Sequence, residues 1–288
     1  MAWALAYPAA SLTPALARAV TDGAAVLTLG LAAVPALDTG RRREELIRRA
    51  SAPLVTASAV WLIAELVRLV LTGAETAGTA VTRLGMQTAV EFTLHTAPGR
   101  AALISVTTAA AVCVLATVAA RSGTARVVAA GLTGIGIAGH PLTGHLAASP
   151  WGGASIAVHA LAAALWCGVL AALVLTVEHR GQWARVLPRF SQLSLLCVSV
   201  LLAAGIVGAS VVISSPGDLY ATGYGRLLSA KLVLTAALTV LAWRNRGHWL
   251  PAARAHRTTA VVSRSRAYTE LALMAVVLAV AATLAVTG

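Results

Sequence analysis

Apolar runs of roughly twenty residues recur along this chain, and their recurrence leaves few folds open. In hydrocarbon, every backbone N–H and C=O needs a partner within the protein, so such runs become helices unless a closed barrel forms. Barrel strands are about ten residues long and alternate apolar with polar positions. The runs here are longer, rich in Ala and Leu, and do not alternate. The pattern predicts an all-α fold: a polytopic membrane helix bundle. With 58% hydrophobic and only 11% charged residues, an ordinary soluble domain is excluded. The 288-residue length suits a single transmembrane domain, residues 1–288.

Eight spans are expected, at about residues 16–37, 52–71, 101–120, 127–147, 153–177, 190–213, 227–243 and 267–286. The net charge of +12 comes largely from arginines between the runs. Basic loops follow the first, third, fifth and seventh runs, at residues 41–49, 121–126, 178–189 and 244–266. The connections after the second, fourth and sixth are nearly charge-balanced. Basic loops stay cytoplasmic, so both termini are expected outside the cytoplasm. An odd number of spans breaks this alternation. The charge is thereby explained without nucleic acid, and no such partner is expected: RNA-binding signatures are missing and aromatics are few. Met1 to Pro14 carry no basic n-region, so no cleaved signal peptide is expected.

Within this frame the histidines stand out. His140 and His145 precede a Pro/Gly turn at residues 149–153, and His159 follows it. His140 and His159 lie equally far from the turn centre. At about 1.5 Å rise per residue, an antiparallel helix pair sets both rings at one depth, roughly 10–15 Å from the hairpin tip. Ionisable groups inside a membrane are costly and mark functional sites by default. Neutral imidazole ligates copper, zinc, iron and nickel. Two facing rings hold one metal ion, or ligate a haem iron axially. The topology adds His145 and His95 on the same outer side. His179, His248 and His256 fall in cytoplasmic loops and read as solvated.

Other polar groups have plainer readings. Glu65 and Arg68 form an i,i+3 pair that neutralises itself or balances a bound cation. Lys231 snorkels towards the outer surface. Trp3, Trp61 and Trp151 read as interfacial anchors. Glu270 is expected near the inner end of the last span. Cys113, Cys167 and Cys197 are isolated in apolar runs, so neither disulfides nor a thiolate metal site is indicated. There is no G-x-x-x-x-G-K-[ST] and no H-E-x-x-H, which argues against an ATP-driven pump and a zincin protease. With three methionines, a methionine-lined pore is not expected. The chain reads as a carrier rather than an enzyme.

Residues 139–288 contain motifs that bear on identity. His159-Ala-Leu-Ala-Ala-Ala-Leu-Trp166-Cys-Gly168 follows a His-x6-Trp-x-Gly pattern. Arg189-Phe190-Ser191 opens an apolar helix. Leu219-Tyr-Ala-Thr222-Gly-Tyr224-Gly225-Arg226-Leu-Leu-Ser-Ala-Lys231 follows L-x-x-T-x-Y-G-x-x-L-x-x-K. Asn245-Arg246 and Glu270 complete the set. With these motifs the region resembles the copper resistance protein D family, including its actinobacterial members. The first 130 residues match that family only in helix pattern. The resemblance implies a multi-pass protein of the bacterial plasma (inner) membrane, concerned with copper tolerance or uptake. It implies a separate periplasmic CopC-like copper-binding partner, since no such domain is fused here. It also makes His140, His159, Trp166, Tyr224 and Lys231 candidate functional positions. The cargo expected is a copper ion at His140 and His159, assisted by His145 or His95. The alternatives are a haem b redox protein using the same histidines and a non-catalytic assembly subunit.

Overall fold

The computed structural model describes residues 12–143, 152–212, 223–255, 257 and 259–287. They are helical almost throughout, with no strand among the described residues. Helix α1 (Leu12–Ala33) runs into a 3₁₀ turn, Val34–Leu37, and α2 covers Gly40–Thr76. A second 3₁₀ turn, Val81–Arg83, leads to the short α3 (Met86–His95). Then come α4 (Ala97–Val118), α5 (Gly123–Thr143), α6 (Gly152–Thr176), α7 (Arg180–Val212) and α8 (Gly223–Arg244). A π turn, Asn245–Trp249, joins α8 to the short α9 (Leu250–Arg254), and α10 covers Ala260–Thr287. The eight long helices stand where the eight apolar runs predict them. Among the described residues, five are long and apolar enough to cross a membrane: Ala15–Leu37, Gly40–Thr76, Ala97–Val118, Gly152–Thr176 and Arg180–Val207. The chain is an all-α membrane bundle.

The helices begin earlier than hydropathy marks them. Residues 41–49 and 180–189, read as loops from their charge, are the opening turns of α2 and α7. Arg and Glu are good helix formers, and charge alone does not end a helix. Glu45 binds Arg48 one turn on and meets Arg49 Nε at 2.5 Å, pairs that support the turn. The polar connection after α2 also holds structure. Helix α2 closes in a Schellman motif: Gly78 takes φ +61°, its N–H donates to Glu75 O, and Thr79 N–H donates to Ala74 O, both at 3.0 Å. Helix α3 then buries Phe92 against Gly73 of α2 and exposes Val90 and Leu94. Thr96 caps α4 by accepting from Gly99 N–H at 3.0 Å.

Helix α6 sits at the centre, packed by α1, α5, α7 and α10. Its Trp166, Leu170, Ala172 and Leu173 are buried. Two glycines set its approach to α1. A Cβ on Gly30 would lie 1.9 Å from Gly168 O, and one on Gly168 would lie 2.2 Å from Val26 O. Backbone meets backbone there, the small-residue packing that membrane helices use in place of a hydrophobic driving force. Trp61, expected as an interfacial anchor, is instead fully buried at 0% exposure beside Gly136, where a Cβ would lie 2.7 Å from the indole. A missing side chain on α5 makes room for the largest one on α2. The outward faces carry Ile63, Ile206 and Val233, each well exposed. Such a surface is a liability in water and neutral in lipid.

One end of the bundle gathers the basic segments. Arg126 on α5, only 3% exposed, donates to Leu31 O (2.9 Å), Ile47 O (2.8 Å) and Ala120 O (3.3 Å), joining three helix ends. Arg49 pairs with Glu178 at 2.8 Å and Arg185 with Asp38 at 3.5 Å. Arg189 donates to Leu37 O at 3.0 Å and Arg264 to Val177 O at 2.9 Å. The four basic segments therefore share one end, as the charge alternation requires.

Candidate functional site

The opposite half holds a polar cluster in an apolar bundle. Helix α2 contributes Glu65 and Arg68, α4 contributes Ser105, and α5 contributes His140. Glu65 is 2% exposed, and its Oε1 accepts from Ser105 Oγ at 2.5 Å. His140 Nε2 lies 3.5 Å from the same oxygen. Arg68 NH1 donates to His140 Nε2 at 3.0 Å and stands 3.8 Å from Glu65 Oε2. Because a guanidinium only donates, this bond makes Nε2 an acceptor and so describes a neutral ring. Glu65 Oε2 is buried without a hydrogen-bond partner among the described residues. The i,i+3 pair expected from sequence is real, and it has recruited a histidine. On α1, Arg18 and Asp22 pair at 3.5 Å and lie within electrostatic reach of Arg68.

His159 sits on α6, half-buried. Its Nδ1 donates to Leu201 O of α7 at 3.0 Å. Gly205, one turn on, permits this: a Cβ there would be 3.4 Å from Nδ1. A carbonyl acceptor on Nδ1 fixes the tautomer whose lone pair is on Nε2, the way proteins orient a metal-binding imidazole. The described partners of His140 thus lie on α2 and those of His159 on α7. Equal depth is set by residue count, but the direction each ring takes is set by helix rotation. His95 ends α3 and is exposed. His145 lies outside the described residues. Trp166 is a core residue, its indole N–H buried without a hydrogen-bond partner among the described residues. Tyr224 and Lys231 lie two turns apart on α8, and their side chains are outside the described residues. Among the described residues, no three His, Cys, Asp or Glu side chains gather as a metal-holding group.

Glu270 belongs to a second cluster, at the basic end. Helix α10 begins at Ala260, ahead of the apolar span, so Glu270 stands about 15 Å along its axis. It is 2% exposed and accepts from Asn245 Nδ2 at 2.8 Å. Arg246 NH1 donates to Ser191 O (3.0 Å) and Ser191 Oγ (2.9 Å). The Arg-Phe-Ser, Asn-Arg and Glu270 motifs, scattered in sequence, therefore meet around the π turn.

Fold and clusters together define a class: a polytopic helical membrane protein with polar groups buried at two levels. Two family models match it. The N-terminal domain of copper resistance protein D-like proteins matches residues 9–155, just over half of the chain, and copper resistance protein D matches residues 184–284. The chain belongs to the copper resistance protein D family. The likeness extends through the front half, which the motifs alone had credited with helix pattern only. No curated protein and no solved structure matches it.

Proposed function

We propose that the protein carries copper across the bacterial plasma membrane as a non-enzymatic carrier, receiving it at the end opposite the arginines. The basic end is then cytoplasmic. Supporting this are the family, whose name concerns copper resistance, and one observation above all: a buried carboxylate and a neutral imidazole 3.5 Å apart in the outer half. Glu65 and His140 Nε2 offer oxygen and nitrogen donors, which suit copper(II). Arg68 now holds its positive charge against both. An arriving copper ion replaces that guanidinium, which swings towards Asp22. His159, oriented by Leu201 on the α7 side, offers a separate nitrogen donor that the ion reaches in a second step, with His145 or His95 assisting. A separate CopC-like protein delivers the ion. Metal analysis of purified protein tests this. The wild type retains copper, and the His140→Ala/His159→Ala variant, eluting as the same species, loses it; equal copper in both overturns the site. An absorption spectrum of the same samples should lack a Soret band, and its presence would reassign the histidines to haem.

A further inference from the structure

At the basic end, a small pocket opens beside Glu270. It is lined by Ser191 and Ser194 of α7, Asn245, Arg246 and Trp249 of the π turn, and Glu270. It has room for a water-sized occupant, not for a lipid headgroup or an organic cofactor. Glu270 is 2% exposed, yet among the described residues only its Oε2 is hydrogen-bonded, and only to a neutral amide. No ion pair reaches it among the described residues. Ser194, 8% exposed, lines the pocket with no hydrogen bond to a described residue. Asn245 gives its Nδ2 to the carboxylate, which leaves its carbonyl oxygen as an acceptor.

The surroundings narrow the occupant. Arg246 is the one cation in the lining, and Ser191 holds it. From α6 the Cys167 thiol lies within electrostatic reach of Glu270 and of Cys197 on α7. Helix α1 brings only Arg18 and Asp22, which pair with each other near the opposite end. A bare carboxylate this deep is the costly state, so a cation has to accompany it. One carboxylate with a hydroxyl and an amide oxygen balances a single charge. Hard oxygen donors also disfavour copper(I). The π turn that places Asn245 is an irregularity often found at functional sites.

We propose that this pocket is a binding site for a small monovalent cation, a proton or sodium, and that its exchange with the cytoplasm is coupled to copper movement. The coupling clause rests on the copper-carrying reading above; the binding clause does not. Difference infrared spectroscopy of the purified protein in lipid reads the carboxyl directly. The wild type should show a carboxyl band that changes with pH or with sodium, and Glu270→Gln should lose it. Asn245→Ala, which keeps the carboxyl, should shift the band. A change with pH at fixed sodium assigns the proton, and a change with sodium at fixed pH assigns sodium. A wild-type spectrum identical to that of Glu270→Gln under both titrations overturns the site. The His140→Ala/His159→Ala variant should keep the band while losing copper. Vesicles given external copper and an imposed proton or sodium gradient then test coupling. Uptake insensitive to both gradients overturns that clause and leaves copper carriage standing.

Discussion

Glu65 and Glu270 are both carboxylates at 2% exposure inside one membrane bundle, and they are treated in opposite ways. Glu65 is surrounded: a hydroxyl at 2.5 Å, an imidazole at 3.5 Å and a guanidinium at 3.8 Å, drawn from three helices. Glu270 has a single neutral amide at 2.8 Å and an open pocket on its other side. Burial alone therefore does not describe either group. A counter-charged carboxylate is part of the structure, and removing it strands its partner. A carboxylate that borders a pocket is one a cation can reach.

The contrast can be broken by stability measurements in detergent. Glu65→Gln leaves Arg68 buried without its nearest carboxylate, and the expected loss is about 3–5 kcal/mol in thermal or denaturant unfolding. Replacing Arg68 as well should return much of that loss. Arg126 probes a buried charge held by three carbonyls and the Ser51 hydroxyl. Arg126→Met removes its donors to Leu31, Ile47 and Ala120 and should cost roughly 2–3 kcal/mol by the same assay. Glu270→Gln is the mildest: an amide keeps a hydrogen bond to Asn245, and the change should stay within about 1 kcal/mol. A Glu270→Gln loss as large as that of Glu65→Gln would erase the distinction between the two carboxylates.

Much of this architecture is legible in the residues. The eight long helices among the described residues and the shared basic end follow from run length and arginine placement, because lipid leaves the backbone no alternative to helix. Boundaries are less legible, since Arg41 to Arg49 are helix formers whose charge imitates a loop. Helix α3 escapes notice because ten residues with one buried aromatic, Phe92, make a weak pattern. The Glu65–Arg68 pair is visible as a spacing, but its capture of His140 and Ser105 is a tertiary event. For His140 and His159, counting from the turn yields depth, while the azimuth of each ring depends on how α5 and α6 are rotated by their neighbours. Gly205 and Gly136 carry that information as absent side chains, which no polarity pattern displays.

The Gly30–Gly168 crossing has a mechanical corollary. With main chains pressed together and no side chains interleaved, α1 and α6 cannot shear along each other without collision, yet they can turn about the point of closest approach. Relative motion of α1 and α6 is thus confined to rotation about that crossing, which lies at the level of Cys167 and so close to Glu270, with Glu65 far along the lever from it.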